Sequence, residues 1–180
     1  LSGAEQISTQ LPALVERYAT SKLKTDEDLF AISTLGFRGE ALPSIAAVSR
    51  FSLVTRPAAA DAATAIEIEG GKLVDVSETG APPGTLVSVK KLFYNTPARR
   101  KFLKTDATEF GHIADTVSAI ALVRPQVHFR LRHNDRVVKN WPAAEDAADR
   151  IADVLGADIK PGLNPSEAVL ELALHSLSAI

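Results

Sequence analysis

Two closely spaced glycines open the stretch of the chain whose residue types best suit chemistry, STLGFRGEALPSIAAV at 33–48. Gly36 and Gly39 bracket Phe37 and Arg38, Glu40 follows at once, and an apolar run of helical character starts at Ala41 and Leu42. The first amides of a helix have no intrahelical acceptor, and the helix dipole places partial positive charge there. Glycines let the preceding backbone wrap an anion without interference from a Cβ. The segment is therefore a candidate phosphate cradle. Upstream, Thr20, Ser21 and Lys22 offer two hydroxyls and an ammonium suited to phosphate oxygens. A Gly-x-x-Gly pair also serves as a plain tight turn, so the spacing alone leaves both readings open.

A second chemical feature is electrostatic. From Lys90 to Lys104 there are six basic side chains (Lys90, Lys91, Arg99, Arg100, Lys101, Lys104) and no acid. The remainder of the chain holds 14 basic against 22 acidic residues, within a total net charge of −2. A local positive patch on an acidic body suits a specific anionic contact better than general polyanion binding. Arg99, Arg100 and Lys101 are candidate phosphate contacts with DNA, and a solvated basic loop is the alternative. For Phe93, Phe102 and Leu103 the expected place is the core, with Asn95 and Pro97 shaping a turn.

Other constellations are poor. His112, His128, His133 and His175 show no metal spacing with carboxylates, and Asp26, Glu27 and Asp28 fit a helix start. Neither a nucleophile elbow nor a Walker loop occurs.

The elements that must hold these residues follow from periodicity. Leu11, Leu14, Val15 and Tyr18 fall at helical spacing, and Thr25 with Asp28 resembles a capping box. A helix is predicted from Glu40 to Val48, with Pro43 in its first turn. Strands follow at RFSLVT, at TAIEIEGGKLVDV with a hairpin turn on Gly70-Gly71, and at GTLVSVKKLF. Phe110, Ile113, Val117, Ile120 and Ala121 predict a helix between Asp106 and Val123. QVHFRLRHNDRVVKNW reads as a second hairpin turning at Asn134-Asp135. A helix through Ile151, Val154 and Leu155 ends at Gly156, and Val169 to Ile180 reads as a strand. The order predicts an α/β (α+β) two-layer sandwich with a mixed, mostly antiparallel sheet.

Composition sets the outer limits. With 180 residues, 46% of them hydrophobic, the chain can bury a core, and without cysteine it has neither disulfides nor thiolate metal sites. No apolar run reaches the length of a membrane span, and no membrane partner is expected. The chain opens at Leu1 and contains no methionine, so it is expected to be a piece of a longer protein.

Taken together, ATSKL at 19–23, LGFRGEAL at 35–42, GTLVSVKKLFYNTPARRKFL at 84–103 and EFGHI at 109–113 resemble the N-terminal ATPase region of MutL-type DNA mismatch repair proteins. The resemblance runs from about Leu11 to Asn140, and the pairing of GFRGEAL with LFYNTPARRKFL is its specific part. It implies the fold shared by gyrase B, Hsp90 and histidine kinases over residues 1–143. Residues 144–180 would then begin a domain of the ribosomal S5 domain 2-like type.

The same resemblance assigns roles. Thr20, Ser21 and Lys22 would lie in a lid over ATP, although Tyr18 stands where the family carries a histidine. Gly36, Phe37, Arg38, Gly39, Glu40, Ala41 and Leu42 would line the triphosphate, with Glu40 orienting its loop. Thr85 would sit near the adenine. The implied cofactors are ATP and Mg²⁺, and the implied partners are DNA, mismatch repair proteins and a second subunit, identical or related. The location would be cytoplasmic in a bacterium and nuclear in a eukaryote. The family's general-base glutamate, its metal-binding asparagine and its Asp-x-Gly-x-Gly element have no counterpart in these 180 residues. Catalysis is accordingly expected of the parent protein and not of this chain alone.

Overall fold

The computed structural model describes residues 40–156, 164 and 166–170. The expected helices before residue 40, with the Thr25–Asp28 capping box, lie outside them. The described residues fall into two compact units, one ending at Phe102 and the other starting at Leu103. The change of domain type expected near residue 143 rests on family resemblance and is a separate question from this division by compactness.

In the first unit, helix α1 (Ala41–Ala46) precedes strands β1 (Arg50–Arg56), β2 (Ala63–Glu69), β3 (Lys72–Thr79) and β4 (Gly84–Lys90). They form one sheet in the order β3-β2-β1-β4, and every described pairing is antiparallel. Alternation dictates its two faces. Phe51 and Leu53 of β1, with Ile66 and Ile68 of β2, are buried together under Ala46 and Leu42 of α1. Arg50, Ser52, Glu67, Glu69 and Lys90 fall on the opposite, polar face. Gly70 and Gly71 turn β2 into β3 with φ of 57° and 84°, as two-residue hairpin turns of this hand require. After β4 comes a single helical turn, α2 (Pro97–Arg100), with proline in its first positions.

The second unit contains α3 (Asp106–Val123), the hairpin β5 (Phe129–His133) and β6 (Arg136–Trp141), and α4 (Ala147–Leu155). The Thr105 hydroxyl caps α3 by accepting from the Thr108 amide, and Asp146 caps α4 by accepting from Ala148. Gly156 ends α4 at φ 100°. The hairpin turns on Asn134 and Asp135, both left-handed, at φ 47° and 62°.

Two expectations, the strand from Val169 and the core places of Phe102 and Leu103, are corrected here. The helix expected between Asp106 and Val123 is present as α3, which buries Ser118, Ala121 and Leu122 and leaves Ile113 and Ile120 exposed. Ser118 can be buried because its hydroxyl donates to the Ala114 carbonyl at 2.7 Å. Val169 and Leu170 belong to a helical turn over 166–170 and not to a strand. Asn164 starts it, accepting from the Ser166 and Glu167 amides while its own amide donates to the Glu167 carboxylate. That reciprocal capping sets helix before the apolar run begins. Ala168 of this turn packs with Leu122 and Ile151 in the second core. Finally, Phe102 is 81% exposed and Leu103 is 42% exposed, so neither is core. A four-residue helix with no buried residue offers Phe102 no face to pack against.

Candidate functional site

Of the predicted nucleotide-binding residues, those described (Glu40, Ala41, Leu42 and Thr85) lie on the helix-bearing side of the first sheet. The first donor within the described part of α1 is the Ser44 amide, which reaches the Glu40 carbonyl at 3.0 Å. Among the described residues the Ala41 and Leu42 amides have no acceptor, and the Glu40 side chain makes no capping bond. Pro43, next in line, has no amide to leave unpaired. Among the described residues the helix thus starts with unpaired donors, as an anion site requires. Thr20, Ser21, Lys22, Gly36, Phe37, Arg38 and Gly39 lie outside the described residues.

What holds α1 in place is a knot at its C-terminal end. The Gly71 amide donates to Ala46, Gly70 to Ser49 and Phe93 to Val48, at 3.0, 3.0 and 2.7 Å. Asn95 Nδ2 donates to the Ala47 carbonyl at 2.9 Å. Every orphan carbonyl of this helix end from Ala46 to Ser49 therefore has a partner. Lys91 and Phe93 adopt φ of 51° and 60°, a strained choice for side chains of their size, which these bonds enforce. The turn that the sequence places at Asn95 and Pro97 is thus also a clamp on α1. The short Ala47–Ser49 connection carries α1 back over the face that presents Thr85.

Thr85 is exposed on β4, opposite buried Thr55, and the two hydroxyl oxygens are 2.8 Å apart. Thr55 Oγ1 also donates to the Gly84 carbonyl at 3.4 Å. This second hydroxyl has no signal in the sequence beyond its alternation with Phe51 and Leu53, and it fixes the first. Thr85 and the start of α1 therefore share one side of the sheet. Arg99, Arg100 and Lys101 do not join them: they are exposed on and after α2, beyond the far end of β4. A cavity of about 320 Å³ lies on the opposite polar face, lined by Arg50, Ser52, Glu67, Glu69 and Lys90. Its position separates it from the motif residues. Among the described residues no three His, Cys, Asp or Glu side chains converge as a metal site.

Comparison with known proteins gives this geometry a family. No protein-family profile matches the chain. The DNA mismatch repair protein MutL of Acidobacterium capsulatum is 46% identical over 153 residues, covering 85% of this chain and 23% of that protein. MutL of Syntrophobacter fumaroxidans is 52% identical over 144 residues, covering 80% and 22%. The chain spans about a quarter of the length of the curated relatives it matches. Among solved structures, the Aquifex aeolicus MutL ATPase domain complexed with ADP superimposes with a TM-score of 0.63. It is 27% identical and is covered to 66% by 84% of this chain. A crystal structure of the N-terminal domain of a DNA repair protein, 24% identical, shares the fold with the same TM-score. Over four-fifths or more of its length, then, the chain belongs to the MutL-type DNA mismatch repair proteins, in the region that forms their ATPase domain.

Proposed function

We propose that the chain supplies part of the ATP-binding module of a mismatch repair protein, in which nucleotide binding and hydrolysis control dimerisation and partner recruitment. The observation that carries this reading is the match to a MutL ATPase domain solved with ADP, on a fold in which the Ala41 and Leu42 amides have no acceptor among the described residues. These amides, continued by the Gly36–Gly39 loop, hold phosphate oxygens, and Thr20, Ser21 and Lys22 close over them. Thr85, oriented by Thr55, meets the polar edge of the adenine or a bridging water. Bound Mg²⁺ would neutralise phosphate charge, and its ligands are not assigned to the described residues. The test is calorimetric titration with Mg²⁺ and a non-hydrolysable ATP analogue, for the chain and for the longer protein carrying it. Saturable binding lost in Gly39→Val is the expected result. A longer protein that fails to bind, or a valine variant that binds normally, overturns the proposal.

A second reading has its own observation: Arg99, Arg100 and Lys101 are exposed in a segment without an acid. On this reading the segment contacts DNA phosphates or an acidic protein, and replacing the three by alanine flattens the salt dependence of DNA binding.

A further inference from the structure

The β5–β6 hairpin carries a second cationic surface. Residues 124–139 hold five cations (Arg124, Arg130, Arg132, Arg136, Lys139) against one acid, Asp135. Strand alternation sorts them. Phe129, Leu131 and His133 are half-buried on the inner face, where His133 stacks on Phe110 of α3 with ring centroids 4.2 Å apart. Arg130 and Arg132 are exposed on the outer face, two residues apart on β5, with the pairing to β6 shifting register between Leu131 and Arg132.

Both guanidiniums are oriented by neutral groups. Arg130 Nε donates to Asn140 Oδ1 at 3.1 Å, and His128 Nε2 shares that oxygen at 3.0 Å. Arg132 donates through one terminal nitrogen to the Asp135 carbonyl at 2.9 Å. Among the described residues no carboxylate forms a salt bridge with either arginine. The charges are thus held in place and left uncompensated, with the remaining N–H forks free for bidentate contacts to an anion.

We propose that this outer face binds the phosphate backbone of duplex DNA through Arg130 and Arg132. Two strand residues span about 6.7 Å, which sets the two guanidiniums within reach of neighbouring phosphates on one DNA strand. A two-stranded ribbon is also one of the shapes a major groove admits. Binding of this kind positions the protein on DNA without reading its sequence.

The experiment is fluorescence anisotropy of a mixed-sequence duplex titrated with the chain over a range of NaCl concentrations. Arg130→Gln/Arg132→Gln is expected to lower the slope of log K against log salt by about 1.8, the value for two lost phosphate contacts. Asp135→Asn, which removes the single acid and keeps a residue that tolerates the turn, tightens binding. A circular dichroism melt checks that each variant folds, and Arg130→Lys/Arg132→Lys, which keeps the charge, retains most of the slope. Unchanged affinity and slope in the glutamine variant overturn the proposal. It is equally overturned if that variant binds the duplex normally but no longer binds polyglutamate, which would make the ribbon a surface for acidic proteins.

Discussion

Arg150 is the largest fully buried side chain among the described residues, and no motif points to it. Its guanidinium donates to the carbonyls of Ala121 at 3.3 Å, Pro125 at 2.9 Å and Val127 at 3.0 Å, and also to Pro142. It lies 5.7 Å from the Phe129 ring centroid. One side chain therefore ties the end of α3, the following loop, the exit of β6 and α4 to one another. Burying a cation is costly, and here carbonyl dipoles offset the cost in place of a carboxylate. Arg150→Met is expected to lower stability by about 3–4 kcal/mol, because buried carbonyls lose their donors. Arg150→Lys should recover only part of this, since an ammonium cannot reach the same set of acceptors. Urea unfolding midpoints measure both, and a methionine variant within about 1 kcal/mol of the parent would show that water replaces the clamp.

At the scale of elements, the β2–β3 hairpin joins fold to site. Gly70 sits at φ 57°, and a Cβ there would lie 2.8 Å from the Tyr94 hydroxyl oxygen and 3.2 Å from Asn95 Nδ2. Gly70→Ala therefore meets both a left-handed backbone, costing about 1–2 kcal/mol, and a contact with the clamp on α1. Tyr94→Phe removes the closest contact and leaves the backbone cost. The double variant should thus be less destabilised than the sum of the two single ones, as a thermal-melt cycle would show; strict additivity would exclude the contact.

The same hairpin shows which parts were legible. Period-two runs around paired glycines, or around Asn134-Asp135, identify hairpins because local sterics decide them. The helix start at Ala41 and Leu42 and the strand carrying Thr85 follow from local periodicity, while Gly36–Gly39 lie outside the described residues. The Asn95–Ala47 bond was not, because it joins residues 48 apart and depends on the strained φ of Lys91 and Phe93. Thr55 was hidden for the same reason, as its partner is 30 residues away. In α3 the apolar spacing pointed to a helix but not to its inner face, which falls on Ser118, Ala121 and Leu122 and leaves Ile113 and Ile120 exposed.

The whole molecule combines a weak net charge with exposed apolar strand. A net charge of −2 and an isoelectric point near 6.1 give little mutual repulsion close to neutral pH. Among the described strands β4 is an edge, and Leu86, Val87 and Val89 on it are 66%, 45% and 43% exposed. An edge with unpaired backbone groups and apolar side chains on both faces is a template for pairing with another chain. Self-association is therefore expected to rise with protein concentration and to be strongest near pH 6, where net charge vanishes. Raising the pH towards 8 adds negative charge and should favour monomer. Leu86→Lys places a charge on the edge and, by sedimentation velocity, should shift the distribution to monomer without altering nucleotide binding, since Leu86 faces away from Thr85. If the parent chain sediments as one monomeric species at high concentration near pH 6, or if the lysine variant associates equally well, the edge is not what draws the chains together.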